Sequence, residues 1–442
     1  MNFDTKTIDE LSSALIKELK VIYAAGQPIG TGFAAIPNIA KEGREISAVV
    51  TLWREITGGS SHLASPFMMG HMDTAPHPVA AMTDALVSAL NNNLLFRELS
   101  PLVSQVEEQL VDFFAETLGL AKGATGTFVS GGSLANLTAL FAACGGYPEA
   151  GESRADIRLI LPENAHASIK KSVAVLGIGP DQIIVPESDD QGRLLPETLE
   201  ESLGQQDGRR CIVVANLGST IHGAVDNIAA LGRIAKTHDA WFHVDAIYGA
   251  ALAFSHKHRG LASGLEQADS LVAGPQKWMY TPRLSSMIFL KDPEFFDEAL
   301  GIDLPYSVSG EQHRGKWGIQ GSRRADALTL WMTLQAMGTD GIGTLVDRSI
   351  DMTHSFHDLM SNSARFEPSH KPDLNLQCFR VRRDADAAAI QNAHRALTEA
   401  GGPWVSLSSW RGELLFRAVL LSPATELMDL EDLLKDLARF LP

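Results

Sequence analysis

Between residues 125 and 290, short β-branched apolar runs alternate with segments of helical periodicity, and this alternation limits the chain to few folds. Most of the runs are apolar on both faces, as strands of a sheet covered on both sides are. The pattern predicts an α/β domain with a mainly parallel seven-stranded sheet flanked by helices, whose ligands bind at the carboxyl ends of the strands. The runs are Thr127–Val129, Ile157–Leu161, Ile183–Val185, Cys211–Ala215, Trp241–Val244, Leu271–Ala273 and Met287–Leu290.

The segments on either side of this region predict two further parts. Near the start, Ile8, Leu11, Leu15 and Leu19 fall on one face of a predicted helix. After the sheet, predicted helices over 323–337 and 343–359 lead into a strand–helix–strand–helix tail. We therefore expect a helical N-terminal segment over 1–100, a large domain over 101–345 and a small α+β domain over 346–442.

Composition and charge exclude several classes of function. The 442 residues carry 37 Lys and Arg against 53 Asp and Glu, a net charge of −16, which argues against nucleic acid or an anionic membrane as the main partner. The sequence contains no apolar run of about 18 residues and begins without a signal-peptide pattern, so we expect no membrane span and a cytoplasmic location. Cys144, Cys211 and Cys378 are far apart, and we expect neither a metal site nor a disulfide.

Two opposite charges follow neighbouring predicted strands. Asp245 ends the buried run that starts at Trp241, where a carboxylate is costly unless it is paired, and Lys277 follows the next run, behind Gly274 and Pro275. Pyridoxal phosphate needs both groups, because a lysine forms its Schiff base and a carboxylate keeps its pyridine nitrogen protonated. A structural ion pair between Asp245 and Lys277 would give the same sequence pattern.

Two other motifs lie where strands pass into helices. The glycine-rich turn Ser130–Ser133 places backbone amides and a hydroxyl at a helix N-terminus, where a phosphate can bind. An ordinary turn with a serine cap would have the same sequence. His166 could stack on a cofactor ring, or it could simply hydrogen-bond the start of its helix.

Together these motifs resemble the group II pyridoxal-phosphate-dependent amino acid decarboxylases, which have the aspartate aminotransferase fold (fold type I). The resemblance runs from about residue 60 to the C-terminus. It rests on SPFMMGHM, ELSPLVSQVE, SGGSLANL, ENAHASIKKS, ANLGSTIHGAVDNI, HVDAIYG, GPQKW and QGSRRADALTLWM. It implies a homodimeric pyridoxal 5'-phosphate enzyme with shared active sites that converts an L-amino acid to its amine and CO2.

The resemblance also implies roles for single residues. Lys277 would form the Schiff base that leads to a quinonoid intermediate, Asp245 would pair with the pyridine nitrogen, and His166 would stack on the ring and assist proton transfer. The other cofactor contacts would be Gly132, Ser133, Thr220, Gln276, Ile247 and Ser322, the last reaching the phosphate from the second subunit. The substrate pocket would contain Phe67, His71 and Met72, for which hydrophobic packing is an equal explanation.

The sequence departs from the family pattern at three places. Gly274 and Gln276 replace the Asp or Asn and the His that usually flank the proline before the lysine, and Ile247 replaces a usual alanine, where it should press on or tilt the cofactor. The loop that often carries a proton-donating tyrosine has none, and His313 is the obvious substitute acid unless it is only a solvated loop residue.

The missing tyrosine leaves alternatives open. Slow protonation would let the intermediate react with dioxygen and give an aldehyde by oxidative decarboxylation–deamination. Another non-decarboxylating reaction at Cα or Cβ would use the same scaffold, and a cofactor-free binding protein is the third alternative.

Overall fold

Each apolar run of the central region forms a strand. The computed structural model describes residues 5–32, 36–39, 41–146, 154–206, 208–301, 314–382 and 385–442. The chain forms two compact units. The larger unit consists of Pro76–Asp351 with Pro372–Leu374, and the smaller unit consists of Met1–Ala75, Met352–Lys371 and Asn375–Pro442.

Four helices precede the sheet in the chain. The helix predicted near the start from its apolar periodicity is confirmed as α1, which packs against α2 in the smaller unit. In the larger unit α3 and α4 begin with Pro78 and Pro101, since a proline in the first helical turn has no hydrogen bond to lose. The helices are α1 (Thr5–Tyr23), α2 (Ile46–Gly59), α3 (Pro78–Leu90) and α4 (Pro101–Thr117).

The larger unit is built on a seven-stranded sheet with the strand order β1-β7-β6-β5-β4-β2-β3. β7 runs antiparallel to both its neighbours, β1 and β6, and the other strand pairs of this sheet are parallel. The strands are β1 (Thr125–Ser130), β2 (Ile157–Ile160), β3 (Ile183–Ile184), β4 (Arg210–Asn216), β5 (Trp241–Ala246), β6 (Ser270–Ala273) and β7 (Ser285–Leu290). The helices that follow α4 in this unit are α5 (Gly132–Ala143), α6 (Ala167–Val175), α7 (Pro196–Gly204), α8 (Ile228–Thr237) and α9 (Glu294–Leu300).

Helices cover this sheet, and every residue of β6 and β7 is buried. One apolar cluster packs α5 and α9 against β6 and β7, and another packs α6 against β2 and β4. The prediction of a mainly parallel, doubly covered sheet is confirmed.

The long helix α10 (Asp326–Ser361) is interrupted at Gly338, whose φ of 66° and ψ of 173° lie outside the helical region. The interruption lies in the gap between the two predicted helices. The smaller unit then closes with a four-stranded antiparallel sheet in the order β10-β11-β9-β8, which confirms the predicted α+β tail. Its elements are β8 (Phe366–Pro368), β9 (Leu376–Val381), α11 (Ala387–Glu399), β10 (Ser406–Trp410), β11 (Glu413–Val419) and α12 (Leu427–Phe440).

Membrane insertion finds no support in the described ranges, where every helix is too short or too polar to cross a bilayer.

A buried ion pair joins α4 to the segment before α10. Glu107 is 1% exposed and Arg323 is 4% exposed, and Arg323 Nη2 lies 3.2 Å from Glu107 Oε2. The Phe128 amide of β1 donates to the same carboxylate at 3.0 Å. Burial alone would raise the pKa of Glu107, but the Arg323 charge and these hydrogen bonds outweigh it and hold the pKa below its usual value.

We expect Glu107→Gln to lower the free energy of unfolding by about 3–5 kcal/mol, because it leaves the Arg323 charge buried without a counterion. Glu108→Gln is the matched control. Its partner Arg97 is about a third exposed, so the loss there should be about 0–1 kcal/mol. Urea denaturation of both variants measures the difference, and equal losses would show that burial of the Glu107 pair is energetically irrelevant.

Candidate active site

The carboxyl ends of three parallel strands meet at one edge of the large sheet. β4 ends at Asn216, β5 at Ala246 and β6 at Ala273. In the register of these strands Asp245 pairs with Asn216 on one side and with Val272 on the other. In open α/β sheets this edge is where ligands bind.

Asp245 is held at the end of β5 by two donors. Its carboxylate is 8% exposed. Oδ2 accepts a hydrogen bond of 3.0 Å from Nδ2 of Asn136, and Oδ1 accepts one of 3.2 Å from the amide of Ile247. An ionised carboxylate only accepts hydrogen bonds, so this group is suited to holding a proton on a cationic nitrogen.

Lys277 lies in a tight turn that follows β6, the strand beside β5. Its amide donates to the carbonyl of Gly274 at 3.0 Å. The next residue, Trp278, anchors the turn. Its fully buried indole stacks on Tyr248 with ring centroids 4.9 Å apart, and its Nε1 donates to Ser349 Oγ at 3.2 Å. The half-buried lysine is thereby fixed at the same edge as Asp245.

The turn between β1 and α5 offers hydrogen-bond donors to an anion. Gly131 adopts a φ of 87°, which glycine accepts without strain, and its carbonyl receives the amides of Leu134 and Ala135. The amides of Gly132 and Ser133 belong to the first helical turn, where the helix supplies no carbonyl partner. With the exposed Ser133 hydroxyl they form a seat for a phosphate.

Two buried hydroxyls near this turn fit a phosphate-bearing cofactor. Ser285 of β7 is the register partner of Ser130 in β1. Among the described residues, neither Ser285 Oγ nor Thr281 Oγ1 in the preceding loop has a hydrogen-bond partner. Buried hydroxyls without partners are uncommon and costly, so a bound polar group would satisfy them.

His166 and Thr220 lie on loops that follow strands β2 and β4. His166 is exposed and caps α6, where its Nδ1 accepts a 3.1 Å hydrogen bond from the amide of Ser168. The helix-cap explanation is therefore confirmed, and stacking on a cofactor ring stays a prediction. Thr220 is exposed in a turn closed by the amide of Gly223, which donates to the carbonyl of Ser219 at 2.9 Å.

Ile247 lies between the two glycines at positions 132 and 274. A Cβ atom on Gly132 would lie 3.1 Å from Ile247 Cδ1, and one on Gly274 would lie 2.9 Å from Ile247 Cγ2 and 2.5 Å from its carbonyl oxygen. The bulky Ile247 therefore fits because both neighbours lack a side chain. Gln276 turns towards β7, where its Nε2 donates to Ser286 Oγ at 3.0 Å.

Ser322 is exposed, and its hydroxyl accepts a 3.2 Å hydrogen bond from Nδ2 of Asn93. Its neighbour Arg323 is the buried arginine that pairs with Glu107, so the ion pair fixes the backbone beside Ser322. His313 falls within 302–313, outside the described residues, and its role stays a prediction.

The three predicted substrate-pocket residues belong to the smaller unit. Phe67 packs against the hydrophobic core of that unit, so the packing explanation holds for this residue. The ring of His71 lies 4.9 Å from that of Trp404, between centroids, and Met72 is buried. Contact with a substrate stays a prediction for all three.

The sequence analysis missed a polar cluster beneath the site. Trp241, His243 and Asp245 alternate along β5 and so share one face of the strand. His243 is fully buried and meets Asn136 of α5, with 3.0 Å between Nε2 and Oδ1. Burial lowers the pKa of His243 to about 4, although the Asp245 charge acts in the opposite direction. The available signal was a histidine two positions before the aspartate in an otherwise apolar strand.

We expect the stability advantage of the wild-type protein over His243→Gln to shrink as the pH falls from 6.5 to about 4. Above 6.5 the imidazole is neutral in both the folded and the unfolded chain. Because the pKa is lowered from 6.5 to about 4 by folding, only the unfolded imidazole binds a proton in this window. The loss should reach about 3 kcal/mol. Urea denaturation across the window measures it, and parallel curves for the two proteins would contradict it.

We expect Gly132→Ala and Ile247→Ala to be coupled. The added methyl of Gly132→Ala meets Ile247 at 3.1 Å and should disturb the turn, whereas Ile247→Ala removes the obstacle. A double-mutant cycle on the free energy of pyridoxal phosphate binding should show a coupling of about 1 kcal/mol. Additive effects would mean that Ile247 does not constrain the turn.

Comparisons with known proteins agree with this geometry. The family model described as "Pyridoxal-dependent decarboxylase conserved domain" matches residues 35–382. L-2,4-diaminobutyrate decarboxylase of Rhizobium meliloti is 30% identical over 419 residues, which are 89% of this chain and 79% of that protein. Aspartate 1-decarboxylase of Aliivibrio fischeri is 28% identical over 354 residues, which are 73% of this chain and 64% of that protein.

A solved structure shows the same fold. The crystal structure of mouse CSAD superposes with a TM-score of 0.88 at 23% identity and covers 98% of both chains. The match of the family model covers well over half of the sequence, and it includes β1 to β9 with every described cofactor-site residue named above. The chain therefore belongs to the pyridoxal-dependent decarboxylase family and is a pyridoxal phosphate enzyme.

Proposed function

We propose that the enzyme removes the α-carboxylate of an L-amino acid and releases CO2 and the corresponding amine. The observation that carries the proposal is the placement of Asp245 and of the Lys277 turn on neighbouring strands. Both lie at the edge where the β1–α5 turn presents donors for a phosphate. A purely structural ion pair between Asp245 and Lys277 would not require a phosphate-binding turn beside it.

Each residue around this edge contacts a different part of the cofactor. Lys277 binds it covalently through its amine, and Asp245 holds the proton on its pyridine nitrogen. His166 stacks on the ring. Gly132, Ser133 and, from the second subunit, Ser322 contact the phosphate. Thr220, Gln276 and Ile247 contact the ring and its substituents.

When bound, the cofactor supplies an electron-poor ring that accepts the electron pair left by the departing carboxylate. Asp245 keeps that capacity high, because its negative charge favours the protonated pyridine nitrogen. The two donors on Asp245 hold its carboxylate in one orientation for this purpose. Ile247 presses on the cofactor from the side of the sheet.

A proton must then be delivered to Cα. We propose His313 as its source, because an unperturbed imidazole titrates near neutral pH and the corresponding loop has no tyrosine. His166 assists from the ring face. If proton delivery were slow, dioxygen would accept the electrons instead, and with uptake of water the products would be the aldehyde, ammonia and hydrogen peroxide in place of the amine.

We also propose a cytoplasmic homodimer with shared sites. Of the eighteen large apolar side chains that are exposed in the described residues, eleven fall between Ile8 and Leu102. This concentration along the sequence supports a dimer-forming role for residues 1–100, since homodimer interfaces bury apolar side chains.

The substrate we propose is a four-carbon L-amino acid with a polar end group. The support comes from the two curated relatives, whose names specify 2,4-diaminobutyrate and aspartate. Arg97 and Arg417 are each engaged within the protein, so neither is proposed as the cation for a substrate carboxylate. Arg97 lies 2.9 Å from Glu108, and in the smaller unit Arg417 is buried and donates to the carbonyl of Gly70 at 2.9 Å.

We expect the purified enzyme to release CO2 and amine from L-aspartate or L-2,4-diaminobutyrate at least about tenfold faster, in kcat/KM, than from L-glutamate or L-phenylalanine. The assay scores CO2, amine, aldehyde and peroxide for all twenty amino acids and 2,4-diaminobutyrate. Lys277→Ala should lose activity and the visible absorbance of the bound cofactor.

Three outcomes would contradict parts of this proposal. Aldehyde and peroxide in place of amine would favour the oxidative reaction. A preference for an aromatic amino acid would overturn the substrate class. Cofactor binding without CO2 release from any amino acid would overturn decarboxylation itself.

A further inference from the structure

Behind Asp245 a chain of hydrogen bonds runs through buried side chains, of which the proposed function uses Asn136 alone, as a donor to Asp245. Trp241 Nε1 lies 2.8 Å from Ser270 Oγ, and Ser270 Oγ lies 2.9 Å from His243 Nδ1. His243 Nε2 is 3.0 Å from Asn136 Oδ1, and Asn136 Nδ2 is 3.0 Å from Asp245 Oδ2. The chain crosses β6, β5 and α5, all within the larger unit.

The two ends of this chain fix its direction, because an indole N–H only donates and a carboxylate only accepts. Asn136 must turn its NH2 group to Asp245, which leaves its carbonyl facing His243. His243 must therefore carry its proton on Nε2. Its Nδ1 then accepts from the hydroxyl of Ser270, whose oxygen in turn accepts from Trp241.

A branch of the chain reaches His166. The second N–H of Asn136 donates to Ser168 Oγ at 2.9 Å. The Ser168 hydroxyl then directs its own hydrogen to His166 Nδ1, 2.7 Å away. The amide of Ser168 donates to the same nitrogen at 3.1 Å. Two donors on Nδ1 require the proton of a neutral His166 ring to lie on Nε2.

We propose that Asn136 and His243 are positioning residues: one shared amide sets the orientation of Asp245 and holds the Ser168 hydroxyl as a second donor on His166 Nδ1. Asn136, Ser168, Ser270 and His243 are all at most 2% exposed, so water does not compete for these bonds, and each bond is stronger than in solvent. The use made of Asp245 and His166 rests on the proposed function, whereas the hydrogen positions do not.

The first test determines which nitrogen of each histidine ring carries the hydrogen. Nitrogen-15 NMR of the histidine-labelled, cofactor-free protein at pH 7 should show a hydrogen on Nε2 and none on Nδ1 of both His243 and His166, with His243→Gln and His166→Gln assigning the two signals. A proton on Nδ1 of either ring, or a charged His243, would overturn the direction of the chain.

The second test separates the two branches with three variants. His243→Gln keeps a donor at the position of Nε2 and should retain the wild-type Nδ1 signal of His166. His243→Leu leaves the Asn136 carbonyl without a partner, so the Asn136 amide should turn and weaken its bonds to Ser168 and Asp245. The His166 Nδ1 signal should then shift, and pyridoxal phosphate should bind roughly 10- to 100-fold more weakly. Ser168→Ala removes one of the two donors on His166 Nδ1 and leaves the Ser168 amide, so the Nδ1 signal should shift while the tautomer is kept, with cofactor affinity within about threefold.

Each outcome bears on the proposal independently of catalysis. An unchanged His166 signal in Ser168→Ala overturns the branch even if His243→Leu fails to fold. Equal behaviour of His243→Gln and His243→Leu would make His243 a packing residue. If the tautomers are as expected and no amino acid is decarboxylated, the positioning role stands and the proposed function fails.

Discussion

An ionised carboxylate at the end of a buried strand is the constraint on which the site depends. A buried charge is tolerated only with partners, and Asp245 obtains them from the Ile247 amide and from Asn136. Asn136 can serve because it lies in the first turns of α5, and that helix starts where it does because the glycines of the β1–α5 turn allow it. The phosphate-binding turn and the Asn136 hydrogen bond that holds the Asp245 carboxylate therefore both depend on the connection between β1 and α5.

Most of the fold could be predicted because its signals are local. All seven strands of the large sheet show as apolar runs, and the break at Gly338 shows as a gap in periodicity. The helix α3 was missed. It buries Ala80 and Val87 but exposes Met82, Leu86 and Leu90 to about half, so it has apolar residues on two faces and lacks the single stripe that identifies a surface helix.

The site was predicted in part for a related reason. Asp245, Lys277 and the glycine-rich turn each stand out because they break an apolar or helical pattern at the end of an element. Asn136 does not stand out within its helix, and His243 shows only as one polar residue in an apolar strand, which says nothing about its partner. Their purpose depends on contacts between α5 and β5 across 107 residues of sequence, which no periodicity records.

The Asn136 amide has one more consequence, for the movement of protons. An amide NH2 group donates hydrogen bonds but does not give up its hydrogens near neutral pH, so Asn136 cannot relay a proton from Asp245 to the imidazole behind it. The charge of Asp245 therefore acts on the His243 imidazole, but no proton passes between the two groups through Asn136. Within the part of the chain that the structure describes, the hydrogen bonds to Asp245 come from amide N–H groups, and these offer no route into the interior for a proton shared between Asp245 and a bound base.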